Sequence, residues 1–189
     1  MSVTDIQALP KDLVLVGGQR IEGTGPLITR HYAGNGCPLR DVRMGGIEDL
    51  DAAVHSARAA FPIWSSLAPS ARRDMMLKAA EILQNRVDRL AEIAAVDTGL
   101  PVGNVRWFVN HTAEWLKYYA GWIDKDAGMC VPTMSNALDY IRYEPYGVIG
   151  VISPSNSSVS GMILAPLLAA GNCAVVKPSE FTSVGTVGF

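Results

Sequence analysis

The sequence predicts an α/β chain, with an N-terminal helical layer followed by the first β-α-β unit of a parallel sheet. Three observations predict it. Apolar residues recur at helical spacing from about residue 50 to residue 123, and the period shortens to strand-like alternation after Cys130. Two short apolar runs near the end then flank one apolar helical segment. With 189 residues, 49% of them hydrophobic and 18% charged, the chain can bury a real core in one domain or two.

The elements follow in order. After Gly45-Gly46, Leu50, Ala53, Val54, Ala57, Ala60 and Phe61 recur at helical spacing, with Glu48, Asp49 and Asp51 in the first turn, where the helix dipole favours acids. Pro62 is expected to close this helix. A second helical region runs from about Ser70 to Thr98 on a stripe of Met75, Met76, Ala79, Leu83, Leu90 and Ile93, with a break near Asn85. Gly99 and Pro101 give its stop signal, and the methionines are expected to fill core space. A third helix, from about Asn104 to Ile123, carries Trp107, Phe108, Trp115, Tyr118, Tyr119 and Trp122 and is expected to pack them against a neighbouring layer. Ala137 to Tyr146 alternates as a half-exposed strand would, with Arg142 and Glu144 on one face. Val148 to Ile152 is a short buried strand, about Ser158 to Ala170 a helix ending at Gly171, and Cys173 to Val176 a second buried strand. A right-handed crossover makes these two strands parallel neighbours.

Composition narrows the function classes. A formal charge of −2 without blocks of like charge offers no footprint for nucleic acid or an anionic membrane surface, so the expected partner is a small molecule. Gly161 to Ala170 is too short to span a bilayer and the N-terminus lacks a basic region before an apolar core, so a cytoplasmic location is expected. Cys37, Cys130 and Cys173 are odd in number and widely spaced, which fits neither a disulfide framework nor a metal site.

Ligands of open parallel sheets gather at the carboxyl ends of strands. Two polar clusters fall there: "SPSNSS" after the first strand, and Lys177-Pro178-Ser179-Glu180 after the second. Pro154 and Pro178 stop ladder pairing, so Asn156, Lys177 and Glu180 are presented from turns. Asn156, Ser157 or Ser158 could equally cap the following helix, and Lys177 and Glu180 could be solvated charges; on residue type alone that is the simpler reading.

"EPYGVIGVISPSN" followed by "ILAPLLAAGNCAVVKPSE" resembles a segment of the aldehyde dehydrogenase superfamily. Leu50 to Trp64, Ser70 to Pro101 ("SARRDMMLKAAEILQNRVDRLAEIAAVDTGLP") and "WLKYYAGWIDKDAG" resemble earlier blocks of that family in the same order. The resemblance runs from about Val16 to Phe189 and corresponds to less than half of a typical member. It implies a Rossmann-like cofactor domain, incomplete at the C-terminus, with residues 1–129 its helical part, 130–146 an oligomerisation strand, and 147–189 its first β-α-β unit. The implied chemistry is oxidation of an aldehyde to a carboxylic acid with NAD(P) through a cysteine thioester. Asn156 matches the amide that stabilises the developing oxyanion. Lys177 and Glu180 match the groups that bind the adenosine ribose, with Ile152, Ser153, Pro154, Ser155, Pro178 and Ser179 lining the same groove. A carboxylate at position 180 favours NAD, with NADP still possible. The complete protein is implied to be a homo-oligomer. Ser155 replaces an aromatic residue of the family pattern, and Ser157, Ser158 and Val159 replace Phe-Pro-Leu. None of the three cysteines matches the nucleophile and no general base is present, so this chain alone is expected to be inactive. The alternative is a non-catalytic remnant that docks on other subunits or holds nucleotide weakly.

Overall fold

The computed structural model describes residues 14–155 and 161–184. The described residues open with strands ahead of the helical layer, which begins at Ile47 as expected. β1 (Val14–Val16) and β2 (Gln19–Ile21) form an antiparallel hairpin that turns on Gly17 and Gly18, both at positive φ (58° and 80°). Glycine adopts these angles without a Cβ penalty, and a Gly-Gly pair is itself a hairpin signal. β3 (Leu27–His31) and β4 (Pro38–Arg43) form a second hairpin whose register shifts between Arg30 and His31.

α1 (Ile47–Ser65) runs through Pro62 and does not stop there. A proline in the last turn withdraws only its own N–H, and the Pro62 carbonyl still accepts from Ser66 N at 3.3 Å. The extra turn places the Trp64 indole where Nε1 donates to the Leu168 carbonyl, 3.0 Å away. The expected break near Asn85 is present: α2 spans Pro69–Asn85 and α3 spans Val87–Thr98. Gly99, at φ 74°, caps α3, and its N–H donates to the Ala95 carbonyl. Met76 is core, whereas its neighbour Met75 is exposed.

α4 (Val102–Ala120) is the central helix, packed against α2, α3 and α5 (Gly161–Ala169). Beside Leu116, two of its inward positions are small: Ala113 and Ala120 are fully buried and meet Ala80 of α2 and Ala165 of α5 in one cluster. Val105 and Val109 join Leu90, Ala91 and Ala94 of α3 in another. Only Trp115 and Tyr119 of the aromatic residues lean onto this core; Trp107, Phe108, Tyr118 and Trp122 are exposed and contact other rings along the outer face.

The strand expected over Ala137 to Tyr146 reduces to β6 (Asp139–Tyr140), which pairs antiparallel with β5 (Cys130–Val131). Ile141 N adds one bond to the Met129 carbonyl, and Arg142 and Glu144 lie outside any strand. Alternation specifies which side chains would share a face, but a strand also needs a partner backbone. β7 (Val148–Ile152) and β8 (Cys173–Lys177) are parallel, in register from Val148↔Cys173 to Ile152↔Lys177. α1 packs against both strands. Asn172 ties the unit together: its side-chain oxygen accepts from Gly147 N at 3.0 Å and its amide donates to the Leu167 carbonyl at 3.2 Å.

Candidate functional site

The parallel register carries β7 and β8 to the same edge, and Ser153 N extends the ladder by donating to the Lys177 carbonyl at 3.0 Å. Both polar clusters therefore leave the sheet side by side. Ile152 is 80% exposed, Pro154 and Ser155 are exposed, and Ser153 is buried. On the β8 side, the exposed Lys177 ammonium donates to the Pro178 carbonyl at 2.9 Å and lies 3.7 Å from a Glu180 carboxylate oxygen. Such an exposed pair is worth at most about 1 kcal/mol, so a ligand can separate it at little cost. Pro178 is half-buried. Ser179 is buried, and its hydroxyl accepts from Phe181 N at 3.2 Å, so its role is to shape the turn. Asn156 lies outside the described residues, as do Ser157 and Ser158.

Sequence reading missed the support beneath this edge. Arg30 of β3 and Asp97 near the end of α3 are both buried and form an ion pair at 2.5 Å. The same guanidinium donates to the backbone carbonyls of Glu180 and Phe181. Arg30 and Asp97 lie in the wall of a cleft of about 510 Å³. Ser155 and residues Glu180 to Thr182 line it too. One signal was available: an acid in the last turn of a helix opposes the dipole and calls for a cation nearby.

The cysteines sit elsewhere. Cys37 and Cys130 are exposed and Cys173 is half-buried in β8, where desolvation pushes its thiol pKa up. A raised pKa keeps the thiol protonated and a poor nucleophile. Among the described residues, no three His, Cys, Asp or Glu side chains converge as metal ligands would. No described helix is long and apolar enough to cross a membrane.

A profile of the Aldehyde dehydrogenase family matches residues 23–188. The chain belongs to the aldehyde dehydrogenase family. It is 39% identical over 154 residues to an aldehyde dehydrogenase-like protein of Schizosaccharomyces pombe, covering 80% of this chain and 31% of that protein. It is also 39% identical over 149 residues to aldehyde dehydrogenase 1 of Tanacetum cinerariifolium, covering 76% of this chain and 30% of that one. The fold agrees. A structure of the Bacillus cereus aldehyde dehydrogenase superposes with a TM-score of 0.90 at 28% identity, covering all of this chain and 40% of that one. PnpE in complex with nicotinamide adenine dinucleotide superposes at 0.88 with 30% identity, covering 95% of this chain and 40% of that one. This aldehyde dehydrogenase chain thus spans about 30% of the curated relatives it matches and about 40% of these solved chains. The family and the α/β class expected from the motifs are both established by these matches.

Proposed function

We propose that this chain supplies the ribose-binding edge and the oxyanion-stabilising amide of an NAD-dependent enzyme that oxidises an aldehyde to a carboxylic acid. The observation that carries the reading is the pairing of Lys177 and Glu180, 3.7 Å apart and exposed where β8 ends. A vicinal diol both donates and accepts hydrogen bonds, and an ammonium beside a carboxylate offers one partner for each role. Structures of PnpE and of the Staphylococcus aureus betaine aldehyde dehydrogenase, 30% and 25% identical to this chain, are complexes with this dinucleotide, which supports the assignment.

The residues present fit the adenosine end of NAD. Lys177 donates to one ribose hydroxyl and Glu180 accepts from the other, while Ile152 to Ser155, Pro178 and Ser179 shape the groove. Glu180 disfavours a 2′-phosphate by charge repulsion, so NADP is the weaker alternative. NAD held there would supply the hydride acceptor that oxidation of an aldehyde to a carboxylic acid requires. In this reading Asn156 directs its amide N–H at the aldehyde oxygen, adding a donor that does not titrate. Neither Cys37, Cys130 nor Cys173 is the nucleophile, and the 189 residues alone do not turn over.

A subunit contact over 130–146 forms part of the proposal, favoured by the exposure of Leu138, Tyr140, Tyr143 and Tyr146. The competing reading, a non-catalytic docking or nucleotide-holding module, uses the same surfaces. The two part on whether the coding sequence continues in frame past Phe189 and, where it does, whether the longer product forms NADH from aldehydes. The ribose assignment is tested by Glu180→Ala in that protein: NAD affinity falls about tenfold and the preference for NAD over NADP narrows. Unchanged NAD affinity would remove the assignment.

A further inference from the structure

We propose that Arg30 is a positioning residue for the nucleotide edge, its guanidinium holding the Glu180 and Phe181 carbonyls so that the Glu180 carboxylate faces the ribose. The inference rests on the ribose-binding reading of Glu180.

Three oxygens from two distant parts of the chain converge on one guanidinium. Nη1 donates to the Glu180 carbonyl, and Nη2 donates to the Phe181 carbonyl and to Asp97 Oδ1. A planar fork with several fixed donors can span two successive carbonyls while keeping a carboxylate partner; an ammonium cannot. Burial explains the carboxylate: a lone cation at this depth would be costly, and Asp97, 5% exposed, neutralises it.

The pair is better suited to fixing geometry than to adding stability, because a buried ion pair is often no more stabilising than apolar side chains of equal volume. What it fixes is specific. The turn over this stretch has two bonds of its own, both anchored on Ser179: Phe181 N donates to its hydroxyl and Thr182 N to its carbonyl. Downstream, Val184 is buried in the core with Val42, Ile93 and Val96. Glu180 and Phe181 themselves are exposed, and Phe181, 65% exposed, contributes little apolar anchorage. Arg30, 150 residues from Glu180 in sequence, reaches this stretch from β3. The Glu180 Cα carries both the held carbonyl and the carboxylate, so freeing the first disperses the second. Loss of that constraint raises the entropy that nucleotide binding must remove and leaves catalysis in the bound complex intact.

The test is a double-mutant cycle on the full-length protein, with NAD affinity read from protein fluorescence and KM and kcat from NADH formation. Arg30→Met and Glu180→Ala should each weaken NAD about tenfold, and the double variant no more than about twentyfold, because both remove the same contact. The loss should fall on KM for NAD rather than on kcat. Arg30→Lys keeps the charge opposite Asp97, protects folding, and should weaken NAD about threefold. An arginine that merely stabilises the fold would give multiplicative losses, about hundredfold in the double variant, and that result overturns the proposal. Wild-type affinity in Arg30→Lys and Arg30→Met, beside a weakened Glu180→Ala, overturns the role of Arg30 alone. Wild-type affinity in Glu180→Ala overturns the ribose reading and this inference with it.

Discussion

At the scale of the residue, one carboxylate oxygen organises the start of α1. Asp49 Oδ2 accepts from Thr24 N at 2.7 Å, Gly46 N at 2.8 Å and the Thr24 hydroxyl at 2.9 Å. These bonds, the backbone N–H of Thr24 foremost, hold its pKa below the ordinary 3.8 against the opposing effect of burial. A depressed folded pKa contributes stability that is present above the unfolded value and is lost as pH falls through the folded one. Urea unfolding from about pH 5 down to about pH 2 should therefore show wild type losing stability more steeply than Asp49→Asn. Parallel acid limbs would show that the carboxylate charge is unimportant. Asn156 makes a different forecast. If it directs an amide at the aldehyde oxygen, Asn156→Ala in the full-length protein should lower kcat on the order of 10²–10³ with NAD binding retained. Asn156→Ser, which can still cap a helix, should lose activity too. Near-normal kcat in both variants, per folded active site, would reduce Asn156 to a helix cap.

At the scale of the element, α4 inverts the ordinary expectation for its residue types. Its aromatic side chains mostly face outward and its alanines face the core, because three helices crowd one axis and leave room for rings only at the margin, where Trp115 and Tyr119 pack. Ala113→Leu should consequently cost about 1–3 kcal/mol, seen as a lower urea midpoint. Trp107→Ala, removing a far larger but 58% exposed side chain, should shift stability by no more than about 0.5 kcal/mol. A larger loss in Trp107→Ala than in Ala113→Leu would show that the stacked outer ring system, in which Trp107 lies 4.7 Å from His111, is a structural layer in its own right.

At the scale of the whole molecule, the described residues form three separate apolar clusters and four two-stranded sheets. Among them, β7 and β8 pair only with each other, and Ile152, Phe181 and Tyr146 are 80%, 65% and 96% exposed around that unit. A two-stranded parallel sheet whose outer edges lack partners among the described residues, bordered by exposed apolar side chains, invites association with another chain. The isolated 189-residue chain should therefore elute from size exclusion as self-associated material and bind a hydrophobic dye. A monodisperse monomer with one sharp urea transition would contradict this and strengthen the stand-alone module.

What the sequence determined by itself was whatever local chemistry specifies. The break at Asn85, the cap at Gly99, the β7-α5-β8 order and the polar ends of both strands all follow from residues within a few positions of each other. The Gly17-Gly18 hairpin was equally local and went unread. The tertiary structure alone decided the rest. Trp64 meets a carbonyl 104 residues away in a helix that continues past Pro62, and the expected strand shrinks to β6 and one further bond from Ile141 N because that is the backbone that finds a partner. Arg30 reaches Asp97 across 67 residues and Phe181 across 151. Periodicity and capping record only what a segment does with its own neighbours; which distant oxygens a buried charge will find is settled when the layers pack, since burial is what makes an unpaired guanidinium intolerable.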